Sequence, residues 1–171
     1  MDLPKRKPTR LKNYDYSSTG AYFITICTKN RKEILSKIDV GTGVPDCPKN
    51  ILSEYGKIAD EQIKTMNDLY ENLSVDKYII MPNHIHLLIR ILNNDNGQSG
   101  TPVPTRANSI ISRFISTFKR FCNKKYGQNI WQDRSNDHIV RGENDYQRIW
   151  EYIDKNPIKW KDDSFYSDTH I

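Results

Sequence analysis

The chain has 171 residues, of which 36% are hydrophobic and 27% charged, and its formal net charge is +5. A chain of this length fits one domain with a folded core. No apolar stretch approaches the ~18 residues of a membrane-spanning helix, and the first residues lack the apolar segment of a signal peptide, so we expect a cytoplasmic protein. Three widely spaced cysteines argue against a disulfide framework and against a zinc knuckle.

The first half of the chain predicts an arm, a strand and a helix. Residues 1–19 are basic and turn-prone, which is typical of an extended arm. Residues 21–28 are rich in β-branched and aromatic side chains and predict the first strand. After a loop rich in glycine and proline at 41–49, apolar residues recur at helical spacing from Ile51 to about Asn67 and predict the first helix.

Two strands and a second helix follow. Residues 73–80 and 84–92 predict the second and third strands. Asn108 or Ser109 can cap the next helix, which has an apolar stripe on one side and an acid-free basic surface on the other. Gly127 is expected to end this amphipathic helix.

The last third of the chain predicts extended segments and a third helix. Residues 129–134 and 137–141 have an extended pattern. The helix is expected over 143–155, with Asn144 as a candidate cap. Asn156 precedes a proline and should end it, because a residue before proline is pushed out of the α region.

This order of elements predicts the α+β class. The first six elements match a ferredoxin-like (split βαβ) plan, which is an antiparallel sheet with helices mainly on one face. In that plan the first and third strands are the central ones, and the third helix is an addition at the C-terminal end. We therefore divide the chain into the basic arm at 1–19, a domain at 20–160 and an acidic, peripheral tail at 161–171.

Two of the four histidines lie two residues apart in the third predicted strand. Side chains alternate between the faces of a strand, so His84 and His86 should point the same way, with Ile85 and Leu87 on the other face. Two neighbouring neutral imidazoles suit a divalent metal. The alternative is a pair of strand histidines with no ligand.

The third helix carries a tyrosine and an amide on one face. Tyr152 and Asn156 are four residues apart and so share a side of the helix. A helix packed over the sheet would bring both near His84 and His86. Spacing alone favours a packing role for Tyr152 and a C-terminal cap for Asn156.

Four segments of the chain form a recognisable set: Gly20–Thr25, Met81–Leu88, Ile130–Arg134 with Asp137–Arg141, and Asp145–Pro157. Together they resemble the single-tyrosine HUH transposases, most closely the REP-associated tyrosine transposase branch. The resemblance covers roughly residues 10 to 160. Its specific part is the succession of Met-Pro-Asn-His-Ile-His, Trp-Gln-x-Arg and Tyr-Ile-x-x-Asn-Pro.

The resemblance implies roles for individual residues. In that family the two histidines bind a divalent metal, which places the ligands at His84 and His86. The nucleophile falls on Tyr152, and the polar residue that completes the metal site falls on Asn156. Many relatives have glutamine there, so asparagine fits the REP-associated branch better. The expected cofactor is Mg²⁺ or Mn²⁺; magnesium prefers oxygen ligands, so two histidines favour manganese as at least a good substitute.

The resemblance also implies a reaction. The protein would be a metal-dependent single-stranded DNA endonuclease and strand transferase that nicks and rejoins DNA next to hairpins through a 5′-phosphotyrosine intermediate. Bond energy is conserved in such an exchange, which agrees with the absence of a P-loop motif. A phenol with a pKa near 10 needs a proton acceptor at neutral pH, and the sequence does not identify it.

Positive charge is concentrated in the arm and in the second helix. We expect both to contact the DNA backbone, and we expect the Trp-Gln-x-Arg segment to stack on or order the single strand. The alternatives are a solvated basic surface and ordinary loop packing. The predicted DNA contacts are Arg6, Arg10, Arg113, Lys119, Arg120, Trp131, Gln132 and Arg134.

Three other functions compete with this one. The first is a DNA-hairpin-binding protein on the same scaffold that does not cut. The second is a metal-dependent phosphodiesterase that uses water as the nucleophile. The third is a structural RNA-binding module, for which no RNP-type aromatic motif is present. The expected partner is single-stranded or hairpin DNA with no membrane involved, and a monomer is favoured over a homodimer.

Overall fold

Three helices pack against the two faces of an antiparallel sheet in the computed structural model of the chain, which describes residues 16–39, 48–92 and 109–166. The predicted arm contacts Arg6 and Arg10 lie outside these residues. The strands and helices, in chain order, are β1 (Gly20–Cys27), β2 (Ser36–Asp39), β3 (Lys49–Leu52), α1 (Glu54–Leu69), β4 (Leu73–Ile80), β5 (His84–Ile91), α2 (Ile110–Tyr126), β6 (Asn136–Ile139) and α3 (Gly142–Lys155).

Four of the strands form one sheet in the order β4-β5-β1-β6. Each neighbouring pair in it is antiparallel. The predicted α+β class is confirmed, and β1 and β5, the first and third strands of the predicted plan, are the two central strands as expected. No helix within the described ranges is both long enough and apolar enough to cross a membrane.

The larger core lies between the sheet and the pair of helices α1 and α2. The stripe predicted for α2 is buried there, and Ser109 caps the helix by accepting a hydrogen bond from the backbone N–H of Ser112. Gly127 ends it in the left-handed region at φ 70°, which glycine adopts without a Cβ penalty. The buried α2 residues are Ile111, Phe114, Ile115, Phe118 and Cys122.

The predicted start of the first helix is wrong. Ile51 belongs to β3, which pairs with β2 in a separate two-stranded sheet, and α1 begins only at Glu54. Ser53 accepts a hydrogen bond from Gly56 N–H and so caps the helix. A side chain at Gly56 would be impossible without movement, because a Cβ there would lie 2.0 Å from the carbonyl oxygen of Leu35.

The third helix lies on the opposite face of the sheet. Ile149 and Ile153 of α3 pack there against Leu88 of β5 in a second, smaller core. The helix begins at Gly142, so Asn144 lies inside its first turn and is not the predicted cap. Asn156 is the C-terminal cap, as predicted, but its backbone stays in the α region at φ −59° and ψ −43°, so the expected effect of the following proline on its conformation is wrong.

The extended segments before α3 are only partly strands. Residues 136–139 form β6 at the edge of the sheet, next to β1. The predicted extension over 129–134 is reduced to one isolated bridge between Thr28 and Trp131. This segment instead follows the end of β1, because Gln132 N–H donates to the Cys27 carbonyl at 2.8 Å.

Candidate active site

The two histidines of β5 form the buried centre of the site. His84 and His86 are 0% and 1% exposed. They point away from the larger core, which takes Ile85 and Leu87, and towards α3, so the predicted facing is confirmed. Their Nε2 atoms lie 3.0 Å apart. Two nitrogen atoms that bind one cation at about 2.1 Å each must lie within about 4.2 Å of each other, so the pair fits a shared ion.

The outer nitrogen of each ring has a polar partner. Asn83 Nδ2 donates to the carbonyl of Phe165 at 2.8 Å, which leaves its Oδ1 to face His84 Nδ1, also at 2.8 Å. An oxygen there accepts, so His84 carries its proton on Nδ1 and a lone pair on Nε2. His86 Nδ1 lies 2.9 Å from the Thr25 hydroxyl. Metal-binding histidines commonly have such partners, which fix the tautomer and the orientation of the ring.

Both imidazoles are held in the neutral form. Burial and, to a smaller extent, the nearby Arg31 cation together lower the pKa of His84 from 6.5 to about 3. The pKa of His86 also lies well below 6.5, first because of burial and then because of His84 beside it, while Asp163 opposes the shift. Neutral imidazoles are the form that binds metal.

Tyr152 reaches the pair from α3. Its hydroxyl lies 3.3 Å from His86 Nε2 and donates to Asp163 Oδ2 at 3.3 Å. The residue is 40% exposed, so the phenol is open to a substrate on one side. Burial of the rest of the ring and the negative charge of Asp163 raise the pKa of Tyr152 from 10 to about 12. The phenol is therefore protonated at neutral pH and needs a proton acceptor to attack.

Asn156 follows one turn later and brings an oxygen donor to the site. It is buried, and its Nδ2 donates to Asp163 Oδ2 at 3.0 Å. That bond fixes which side of the amide carries oxygen. Oδ1 is then buried with no hydrogen-bond partner among the described residues. A buried unpaired carbonyl is costly unless something binds it.

Asp163 is a site residue that the sequence reasoning missed. One of its carboxylate oxygens lies with one ring nitrogen of His84 and one of His86 in a group of atoms all within 4.8 Å of one another, an arrangement that is able to hold a metal ion. Asp163 Oδ1 accepts from the N–H of Phe165 at 2.7 Å. The prediction of a peripheral tail is thus wrong for residues 161–166. No periodicity marks a carboxylate held by a turn, so the sequence offered no signal for it.

The aromatic ring of Phe165 closes the site next to His84. Its centroid lies 4.6 Å from the His84 ring and 5.9 Å from the His86 ring. The Arg31 guanidinium lies over the Phe165 ring, 4.2 Å from its centroid. On the far side of His86, Phe23 is 5.0 Å away and makes an edge contact with Tyr152 at 5.9 Å. These rings exclude water from the histidines and leave the tyrosine accessible.

The predicted DNA contacts of the second helix and the following segment are spread over different environments. Arg113, Arg120 and Arg134 are exposed, and Gln132 is half-buried. Lys119 donates to the carbonyls of Gln132 at 2.7 Å and of residue 133 at 3.3 Å, so its ammonium already fixes this segment.

Base stacking by Trp131 is the one predicted contact that the structure contradicts. Its ring is 1% exposed and packs against Phe118 in the larger core, with the centroids 5.6 Å apart. A buried ring offers no face to a nucleotide. The alternative of loop packing is the observed one for this residue.

Sequence comparison finds relatives that match most of the chain. The chain is 32% identical over 184 residues to an uncharacterized protein of Haemophilus influenzae, covering 95% of this chain and 94% of the relative. It is 24% identical over 144 residues to the REP-associated tyrosine transposase of Escherichia coli, covering 84% and 70% of the two chains. No protein-family model matches.

A solved structure has the same fold. It is described as a REP-associated tyrosine transposase bound to a REP hairpin, with a TM-score of 0.59 at 20% identity over 88% of this chain and 73% of that one. The named sequence relatives and the shared fold support a transposase-like protein. More specifically, they support the REP-associated tyrosine transposase family as the family of this chain.

Proposed function

We propose that the protein is a metal-dependent single-stranded DNA nickase and ligase that works through a 5′-phosphotyrosine intermediate. One observation carries the proposal: the Tyr152 hydroxyl lies 3.3 Å from the Nε2 atom of a neutral histidine whose neighbour's Nε2 is 3.0 Å away. A nucleophile beside a pair of metal-ligating nitrogens is the arrangement that phosphoryl transfer requires.

The proposed metal ligands are His84, His86 and Asn156. The unpaired Oδ1 of Asn156 supports the third position, since it is a neutral oxygen donor with no other partner in the described residues. A divalent cation bound there supplies positive charge that offsets the negative charge of the non-bridging phosphate oxygens. Two nitrogen donors with one oxygen donor fit Mn²⁺ well and leave Mg²⁺ as the alternative.

The protein's own groups account for the covalent steps. The Tyr152 oxygen attacks the phosphorus, the bond from phosphorus to the 3′ oxygen breaks, and a free 3′-hydroxyl leaves. Asp163 accepts the hydrogen bond of the Tyr152 hydroxyl and is thus placed to take the phenolic proton. In the reverse direction a 3′-hydroxyl attacks the phosphotyrosine, the tyrosine oxygen leaves with the proton returned, and no nucleotide energy source is consumed.

The substrate we propose is single-stranded DNA next to a hairpin. The solved relative of the same fold is described as bound to a REP hairpin, and the exposed cations Arg113, Arg120 and Arg134 are available for backbone contacts. We further propose a cytoplasmic monomer that acts with its own tyrosine, because Tyr152 and the histidine pair meet within a single chain.

The decisive experiment is a search for the covalent adduct. Hairpin-bearing single-stranded DNA labelled at its 3′ end is incubated with the protein and Mn²⁺ or Mg²⁺, and the products are separated on a denaturing gel. We expect a labelled protein band that Tyr152→Phe abolishes. Tyr146→Phe is the matched control, since Tyr146 lies on the same helix but its hydroxyl donates to Asp76 at 2.8 Å.

Two other outcomes would replace the proposal. Cleavage without an adduct, retained by Tyr152→Phe, would make the protein a phosphodiesterase that uses water. Tight binding of the hairpin with neither cleavage nor adduct in either metal would leave a DNA-binding protein that does not cut. An adduct that survives in Tyr152→Phe and disappears in Tyr146→Phe would show that the wrong tyrosine has been assigned.

A further inference from the structure

A basic groove opens at the end of the sheet where His84 lies. The antiparallel register pairs His84 with Cys27, the last residue of β1, so the turn that follows β1 emerges beside the histidines. The groove has a volume of about 910 Å³. The turn forms one wall and the segment before β6 forms the other; the lining residues are Lys29, Asn30, Arg31, Gln132, Asp133 and Arg134.

The charge of this groove is predominantly positive. Three cationic side chains, Lys29, Arg31 and Arg134, line it with one carboxylate, Asp133. Within the described residues none of the three cations forms an ion pair. Unneutralised cations gathered along a concave surface attract a polyanion rather than stabilise the fold.

Arg31 connects the groove to the site. Its guanidinium lies 4.2 Å from the centroid of Phe165, and that ring lies 4.6 Å from the ring of His84. Arg31 is half-buried where it lines the groove, and its buried Nη1 has no hydrogen-bond partner within the described ranges. A guanidinium presents donors in a planar fork that matches a phosphate, so the accessible part of this side chain is available to a phosphate in the groove.

The turn that carries Arg31 is held in an unusual conformation. Asn30 and Arg31 both have φ 54°, the left-handed region that residues with a Cβ rarely adopt. The Thr28 hydroxyl donates to the Lys32 carbonyl at 2.8 Å, and Lys29 N–H donates to the Ile130 carbonyl at 2.7 Å. These bonds fix the turn before any ligand arrives, as expected where strained backbone positions a binding group.

We propose that this groove holds the sugar–phosphate backbone of the single strand that runs past His84, and that Arg31 contacts the backbone phosphate nearest the histidine pair. The inference rests on the proposed function, because the groove is the surface that would guide the strand to Tyr152 and the histidine pair. It assigns Arg31 a positioning role, with Lys29 and Arg134 as further phosphate contacts.

The first test pairs a change in the protein with a change in the DNA. Substrates carry one neutral methylphosphonate at successive positions around the cleavage site, and the rate of adduct formation is measured for the wild type and for Arg31→Gln. We expect one position at which the wild type slows about tenfold, whereas Arg31→Gln, already about tenfold slower, slows no further. Equal slowing of both proteins at every position would overturn the contact.

The second test needs no chemistry. With Tyr152→Phe as the background, the affinity for an unstructured oligonucleotide is measured against salt concentration. Replacing Lys29, Arg31 and Arg134 together by glutamine should reduce the slope of log K against log salt by roughly 2, because each single-strand phosphate contact contributes about 0.7. Lys64→Gln removes a cation of α1 that already pairs with Asp60, and it should leave the slope unchanged. An unchanged slope in the triple variant would contradict the binding of DNA in the groove.

The two proposals fail separately. If the wild type forms no adduct but the slope of log K against log salt falls by roughly 2 in the triple variant, the nuclease assignment is wrong and the binding of DNA in the groove is supported. If adduct forms at the normal rate in Arg31→Gln and the slope is unchanged in the triple variant, the groove does not bind the strand and the nuclease assignment is supported. Arg31→Lys keeps the charge and should recover part of the affinity, and thermal unfolding of each variant confirms that it is folded.

Discussion

The two faces of the central sheet have opposite properties although they share the same strands. On one face, Ile85 and Leu87 of β5 pack under α1 and α2 among apolar side chains. On the other, His84 and His86 from the same strand lie beneath α3 with unpaired or marginally paired polar atoms around them. The first face consists of apolar side chains in mutual contact, whereas the second holds two buried histidines and, in the described residues, a buried amide oxygen without a hydrogen-bond partner. That contrast separates a stabilising surface from a functional one within a single strand.

Removal of one histidine is the strongest test of the difference between the two faces. We expect His86→Ala to reduce adduct formation by at least roughly a thousandfold, because loss of a ligand removes several kcal/mol of charge stabilisation at the phosphate. The same variant should lose the Mn²⁺ binding measured by calorimetry while its circular dichroism stays that of a folded protein. Normal adduct yield from folded His86→Ala protein would contradict the metal assignment.

The neighbouring residue should behave in the opposite way. Leu87→Ala removes a fully buried side chain from the larger core, so we expect the free energy of unfolding to drop by about 2–5 kcal/mol. Urea denaturation measures the loss. Below the unfolding transition the adduct rate should change less than about threefold, and a loss of Mn²⁺ binding in folded Leu87→Ala would mean that the two faces are not independent.

The parts of the molecule that follow local periodicity were predictable. Alternation along β5 correctly assigned the faces of both histidines, and the stripe and caps of α2 were read from residue types that act over one or two turns of helix. The four-residue spacing correctly put Tyr152 and Asn156 on one side of α3. Each of these follows from the geometry of a single element.

The parts that depend on contacts between distant segments were not predictable. Ile51 fits a helical pattern as well as a strand, and only its pairing with Lys37 decides the matter. The flat ring of Trp131 suits stacking on a base, yet it fills a space in the core beside Phe118. Asp163 reaches the site through a turn, so no period in the sequence points to it.

The buried histidines should also make stability depend on pH. Their pKa values lie below 6.5 in the folded protein, at about 3 for His84. Below about pH 6.5 the unfolded chain therefore binds protons at these histidines that the folded chain does not bind. Stability is therefore complete above about pH 6.5 and declines as the pH falls from there towards 3. Urea denaturation in EDTA should show a loss of roughly 2 kcal/mol per histidine between pH 7 and pH 5.

A single substitution checks the source of that dependence. His84→Gln should remove about half of the loss, because one of the two titrating groups is gone. A slope that is the same in the variant and in the wild type would assign the dependence to other groups, such as the carboxylates.

The smallest expected effect distinguishes two uses of Asp163. If Asp163 serves only as the acceptor of the phenolic proton, Asp163→Asn should change the Mn²⁺ affinity less than about threefold. Loss of a metal ligand would reduce that affinity much more. Removing its charge should also lower the pKa of Tyr152 from about 12, though not to 10, because burial is the larger cause. Without an acceptor, the adduct rate of Asp163→Asn should be about tenfold lower at pH 7 and should rise towards that of the wild type up to pH 9, as more phenolate forms. A titration of ¹³C-labelled tyrosine and a pH–rate profile measure the two quantities. A variant that loses Mn²⁺ binding and shows a flat profile would make Asp163 a metal ligand instead.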